Sequence, residues 1–62
     1  MKYALIDPNT IVADGFNVAQ VEQVPFEVAK PLYWVTCSDN ITAEQYYYKP
    51  ALRVFALMPN AN

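Results

Sequence analysis

The side chains of this chain that are able to do chemistry are few, and their spacing brings few of them together. Cys37 is the only cysteine and Ser38 the only serine; they stand side by side ahead of Asp39, and there is no histidine. A nucleophile needs a base within hydrogen-bond reach, and an aspartate next to a serine in sequence does not make a strong base for it. Ser38 reads as a turn former in Ser38-Asp39-Asn40. Cys37 ends an apolar run with no cation near it in sequence, so it reads as a buried structural thiol. One thiol without histidine makes neither an internal disulfide nor a zinc site. Glu22 and Glu27 flank Pro25, and Asp39 and Glu44 flank the next turn. Such pairs suit acid–base work or a cation, but neither follows a calcium-loop spacing, and both read as solvated turn charge. A single glycine, Gly15, excludes a glycine-rich phosphate loop. The expectation is a protein that is not an enzyme, with no catalytic residue, cofactor, metal or small-molecule substrate.

Aromatic residues are the other candidates. Tyr33, Trp34, Tyr46, Tyr47 and Tyr48 lie near Lys30, Lys49 and Arg53 in sequence, the ingredients of a stacking platform for single-stranded nucleic acid. Strand alternation, however, turns Tyr47 away from Tyr46 and Tyr48, which leaves at most two rings of that run on one side. Four cations in a chain of net charge -2 are too few to follow a phosphate backbone. Packing into a core or against a neighbouring subunit is the better use of these rings.

Composition points the same way. The chain is 55% apolar and 16% charged, against about 25% charged in an average soluble domain. A domain of this size buries only about 60% of its unfolded surface. Some of Tyr3, Leu5, Ile6, Ile11, Val12, Phe16, Trp34, Phe55 and Leu57 should therefore face another chain. The competing explanation is that tyrosine favours strands and tolerates exposure. Small domains draw extra support from disulfides, metals or association, and association is what remains here.

The elements that must carry these residues read as short strands separated by turns. Lys2–Asp7 alternates as a strand, Pro8-Asn9 stops it, and Thr10–Ala13 should return against it. Asp14-Gly15 signals a type I′ hairpin turn. In Phe16–Val24, Val18, Val21 and Val24 recur at spacing three, which hints at a helix, but the β-branched content favours a strand with a bulge. Pro25 interrupts it, Phe26–Val28 resumes alternation, and Ala29-Lys30-Pro31 breaks it again. So much proline belongs at a sheet edge or in an extended arm. Leu32–Cys37 is the best strand, with both faces ready for burial. Thr42-Ala43-Glu44-Gln45 fits a capping box and a single helical turn. Tyr46–Tyr48 and Leu52–Met58 are strands joined by a turn at Lys49-Pro50-Ala51, and Pro59–Asn62 is a loose tail. The fold class expected is mainly β, a small antiparallel meander of about five short strands in one domain over residues 1–62.

No apolar stretch reaches the roughly 20 residues of a spanning helix, and the N-terminal residues lack a signal-peptide pattern. The expected setting is a reducing cytosol, without a membrane, which makes the Asn40-Ile41-Thr42 glycosylation pattern a chance match.

Three stretches carry a resemblance. Met1–Asp7 (Met-Lys-Tyr-Ala-Leu-Ile-Asp), Val18–Glu22 (Val-Ala-Gln-Val-Glu) and Pro31–Asp39 (Pro-Leu-Tyr-Trp-Val-Thr-Cys-Ser-Asp) resemble small structural or accessory proteins of tailed bacteriophages. In those, an aromatic-Trp-Val-x-Cys-x-Asp strand and turn is followed by a Tyr-rich strand and a proline turn. The resemblance implies a virion component or assembly factor built in the host cytoplasm: a minor capsid, decoration or tail-associated subunit. Its partners would be other virion proteins or copies of itself. It brings no site residues with it. From aromatic size alone, Tyr33, Trp34, Tyr47 and Phe55 are the expected interface anchors. The alternatives are an adaptor or inhibitor that binds one host or phage protein outside the virion, and the single-stranded nucleic-acid binder.

Overall fold

Apolar alternation from Lys2 onward builds the longest strand of the protein, β1 (Lys2–Val12), and four shorter strands add to it: β2 (Gly15–Glu22), β3 (Tyr33–Cys37), β4 (Tyr46–Lys49) and β5 (Val54–Leu57). A computed structural model describes residues 1–59, and from residue 60 on the expected tail lies outside the described residues. The fold is mainly β: all five strands pair antiparallel in one curled sheet, a half-barrel, with no helix among the described residues. Strand order is β3-β1-β2-β4-β5. The neighbours β1–β2 and β4–β5 are the hairpins of a meander, whereas β3 crosses to the far edge. No helix among the described residues is long and apolar enough to cross a membrane.

Proline does not end the first strand. β1 continues through Pro8, and Thr10–Val12 prolongs it instead of turning back. The register with β2 slips between Asp7 and Ile11, where Pro8, Asn9 and Thr10 have no partner. A bulge is where a residue without N–H is tolerated inside a strand. The Asp7 carboxylate holds the bulge, accepting from the Asn9 amide and from the Thr10 hydroxyl, each at 3.0 Å.

The hairpin turn falls one residue earlier than Asp14-Gly15. Val12 pairs with Gly15, so Ala13 and Asp14 are the central residues, and Ala13 carries the positive φ of 51°. Positive φ at the first central residue only is the pattern of a type II′ turn. Gly15 has no positive φ; its smallness is needed for another reason, close approach. A Cβ there would run into the carbonyl oxygen of Tyr48 and lie 2.9 Å from Cδ2 of the Tyr47 ring.

The spacing of three in β2 comes from a bulge. Ile6 pairs with Val18 but Leu5 with Gln20 and Ala4 with Val21, so one extra residue, Ala19, is inserted and Val18 and Val21 stay on one face. β2 ends at Glu22 and is the central strand of the sheet, not an edge. The prolines lie beyond it. Residues 23–32, including Phe26–Val28, form no strand and serve as an arm that carries the chain past β1 to β3.

One face of the sheet holds the core, formed by Ala4, Ile6, Val18, Cys37, Ile41 and Tyr48. Phe16, Val21, Val35, Tyr46 and Phe55 pack around it. The connection from β3 to β4 must pass over β1 and β2, and it lays Ile41 and Ala43 onto this face. Its expected helical turn is a single α-turn that goes no further. The Tyr46 amide donates to the Thr42 carbonyl at 3.3 Å, and the Thr42 hydroxyl goes to the Gln45 side chain at 3.4 Å. The turn is not continued, and the chain enters β4 at Tyr46.

Candidate functional site

The best strand of the sequence, β3, lies at an edge. Only Cys37 in it is buried. Its alternation sends Tyr33, Val35 and Cys37 to the core face, opposite Ile6, Ala4 and Lys2, and Trp34 to the outer face beside Leu5. Trp34 is covered from within the chain. Its indole N–H donates to the Phe26 carbonyl at 2.7 Å, and the two rings meet edge to face with centroids 5.2 Å apart. The proline-rich arm thus folds over the outer face, and Leu5 on that face is 6% exposed. Trp34→Phe is expected to keep the ring contact and lose the hydrogen bond, at about 0.5–1.5 kcal/mol. Amide exchange across residues 23–32 should then quicken while the β1–β2 amides stay as slow as before.

Tyr46, Tyr47 and Tyr48 alternate as strand geometry requires. Tyr46 and Tyr48 pack on the core, and Tyr48 meets Phe55 with ring centroids 5.1 Å apart. Tyr47 points the other way and lies against Gly15. Its hydroxyl donates to Asp14 Oδ1 at 2.6 Å, and Lys49 reaches Asp14 Oδ2 at 3.6 Å. The five aromatics of the stacking hypothesis therefore divide between faces, with Tyr33, Tyr46 and Tyr48 on one and Trp34 and Tyr47 on the other.

Of the four expected anchors, Tyr33 is exposed, Trp34 and Phe55 are half-buried, and Tyr47 is buried by contacts inside the chain. They do not form one patch. Residues outside these four are more open: Leu57, which the composition argument named, and Leu52 and Val54, which it did not, are 63%, 68% and 45% exposed. Their shared signal was present, since Leu52–Met58 carries only one charge, Arg53, but edge position was not readable.

Hydrogen bonding sets the titration of the Tyr47–Asp14 pair. The Tyr47 hydroxyl holds the Asp14 carboxyl below its usual range, with help from Lys49, against a smaller opposing effect of desolvation. The same bond and then burial raise the Tyr47 phenol. A carboxyl with a depressed folded-state pKa adds stability above its unfolded value, lost as pH falls through the folded one. A phenol with a raised pKa adds stability below its unfolded value, lost as pH rises through the folded one. Stability should therefore fall below about pH 4 and above about pH 10. Tyr47→Phe should flatten part of both limbs in thermal melts recorded against pH.

The groups singled out for chemistry are tied down. The Ser38 hydroxyl donates to the Asn40 side-chain oxygen within its turn. Burial pushes the Cys37 thiol up, opposed by the Lys2 charge. Asp39 pairs with the N-terminal ammonium at 2.7 Å, both groups well exposed, a kind of pair that contributes little. Among the described residues no three of Cys, Asp and Glu gather as a metal site. A surface depression of about 350 Å³ is lined by Lys2, Gln20, Val21, Ile41, Thr42 and Glu44. Another, of about 560 Å³, lies at Met1, Thr36, Cys37, Ser38 and Asp39.

What the molecule leaves open is its two sheet edges. Among the described residues, β3 and β5 each have a neighbour on one side only. Neither Tyr33–Cys37 nor Val54–Leu57 contains a charge or a proline. The total accessible surface is 4194 Å² for 7.0 kDa, close to the roughly 4,000 Å² that size scaling gives a compact monomer. The composition argument thus holds only locally: Leu5 and Ile6 are buried, while Ile11 and Leu57 are not. The chain matches no family model, no curated protein and no solved structure.

Proposed function

We propose that this chain is a non-enzymatic interaction module that docks to other proteins through the edges of its curled sheet. The observation that carries this is the pair of unguarded edge strands. Monomeric β proteins protect such edges by keeping them very short or with inward charges, prolines, bulges or covering segments, because an open edge is a template for another strand; β3 and β5 are short, at five and four residues, but carry neither charge nor proline. An incoming strand gains backbone hydrogen bonds from the edge, and alternate side-chain contacts set its register. Tyr33 on β3 and Phe55 and Leu57 on β5 are the side chains best placed to receive it.

The setting we favour is the one the phage resemblance implies, a minor capsid, decoration or tail-associated subunit held among its neighbours. Quantitative mass spectrometry of purified particles from the source system tests this. A high copy number supports a place on the capsid, and a low one a place on tail or portal. Absence from the particle removes the virion setting and leaves a soluble adaptor using the same edges.

A further inference from the structure

We propose that β5 pairs with β5 of a second copy, antiparallel about a two-fold axis at Ala56, to give one continuous ten-stranded sheet. This rests on reading the edges as docking surfaces and names the occupant of one of them. Exposed apolar side chains decide which edge. Leu52, Val54 and Leu57 lie on β5 or the turn before it, 45% exposed or more, whereas on β3 only Tyr33 is exposed among the large apolar residues, at 37%.

The register follows from the ladder. The Met58 amide donates to the Gln45 carbonyl at 2.9 Å, one step beyond the Tyr46↔Leu57 pair. Hydrogen-bonded and non-hydrogen-bonded pairs alternate in an antiparallel ladder. Val54, Ala56 and Met58 therefore turn their backbone groups to β4, and Phe55 and Leu57 turn theirs to the open edge. A two-fold axis at Ala56 sets Phe55 opposite Leu57 of the second copy, and Leu57 opposite its Phe55, as hydrogen-bonded pairs. Ala56 then faces Ala56 where the strands come closest.

The occupant is a second copy because the strand complements itself. A two-fold axis brings every charge near it against its own like, and Val54–Leu57 has none. Large Phe55 meets medium Leu57, and the smallest residue sits at the closest approach, where about 4.5 Å separates the Cα atoms. Four-residue strands bury less than the roughly 800 Å² per partner of a standard interface, so the dimer is weak and concentration-dependent.

Sedimentation of the full chain under reducing conditions, with cross-linking of cysteine variants in a Cys37→Ser background, tests the pairing. The wild type should pass from monomer to dimer as concentration rises. Ala56→Cys should form a disulfide dimer, because about 4.5 Å across the axis suits a disulfide. Phe55→Cys should not, since its own copy lies diagonally at about 7–8 Å. Ala56→Lys, which sets two ammonium groups face to face, should weaken association at least tenfold while the dilute monomer keeps its melting temperature. A chain that stays monomeric up to millimolar concentration overturns the β5 dimer but not edge docking, which exchange of the Phe55 and Leu57 amides in the monomer judges separately. Cross-linking through Thr36→Cys on β3 in place of Ala56→Cys overturns it as well. So does growth into filaments, because a contact between β3 and β5 of different copies would be head-to-tail and need not close.

Discussion

Gly15→Ala is expected to destabilise this protein by about 1–3 kcal/mol, the range typical of overpacking. The sign is the informative part. Replacing glycine by alanine at a position with ordinary backbone angles usually stabilises a protein by about 0.4–1 kcal/mol, since it reduces the freedom of the unfolded chain. Gly15 has no positive φ, so backbone conformation alone would give that gain. The added methyl, however, meets the Tyr48 carbonyl oxygen, a backbone atom that cannot swing aside. Moving Tyr48 means moving the seam between β2 and β4, which consists of two residue pairs, Phe16↔Tyr48 and Asn17↔Tyr47. The β4–β5 hairpin should loosen as a unit. In a domain of this size each kcal/mol lowers the melting temperature by about 4–8 °C. Thermal melts should show that drop, with faster amide exchange concentrated in Tyr46–Leu57. A neutral or stabilising result would mean that β4 does not pass Gly15 as closely as described.

Ile6→Ala should cost more. Ile6 is 0% exposed, sits between Val18 on β2 and Tyr33 on β3, and belongs to the core. Truncating such a side chain removes its burial and leaves a cavity, at about 2–5 kcal/mol. A chain of this length has about 3–9 kcal/mol of total stability at ordinary per-residue values. The variant should therefore populate the unfolded state strongly at physiological temperature. Ile11→Ala is the natural control, because Ile11 is on the same strand but 65% exposed, and surface changes of this kind stay within about 0.5 kcal/mol. Denaturant titrations should separate the two by several-fold in midpoint stability. Equal losses would place Ile11 in the core and contradict the bulge at Pro8–Thr10.

The two isoleucines also mark the limit of what was legible. Composition and alternation were enough for a mainly antiparallel β fold, for β3 to within a residue, for β4 and β5, and for the opposite facing of Tyr47. Those signals are local. The bulge in β2 was legible too, through the β-branched content, although the valine spacing it produces reads locally as a helix. Pro8 was read as a stop because local chemistry forbids its pairing, yet a partner strand that skips three residues lets β1 run on. Gly15 was read as a turn residue because Asp-Gly usually is one; its reason for being glycine is a strand 33 positions away, whose Tyr47 hydroxyl also meets Asp14. Leu32–Cys37 looked fit for the middle of the sheet, and its edge position follows from the crossover by residues 23–32, which no local pattern encodes. The site was least legible of all. Aromatic size singled out Tyr47 and Trp34, whose partners lie within the chain, while strand order decided which edge remained open.

Amide hydrogen exchange on the dilute monomer tests the open edge most directly. The amides of Val54, Ala56 and Met58, turned toward β4, should exchange slowly, and those of Phe55 and Leu57 should exchange fast. That alternation is what a docked hairpin with a free outer edge must give. Slow exchange at Phe55 and Leu57 in the monomer would mean that the edge is already covered within the chain, and docking there would be contradicted.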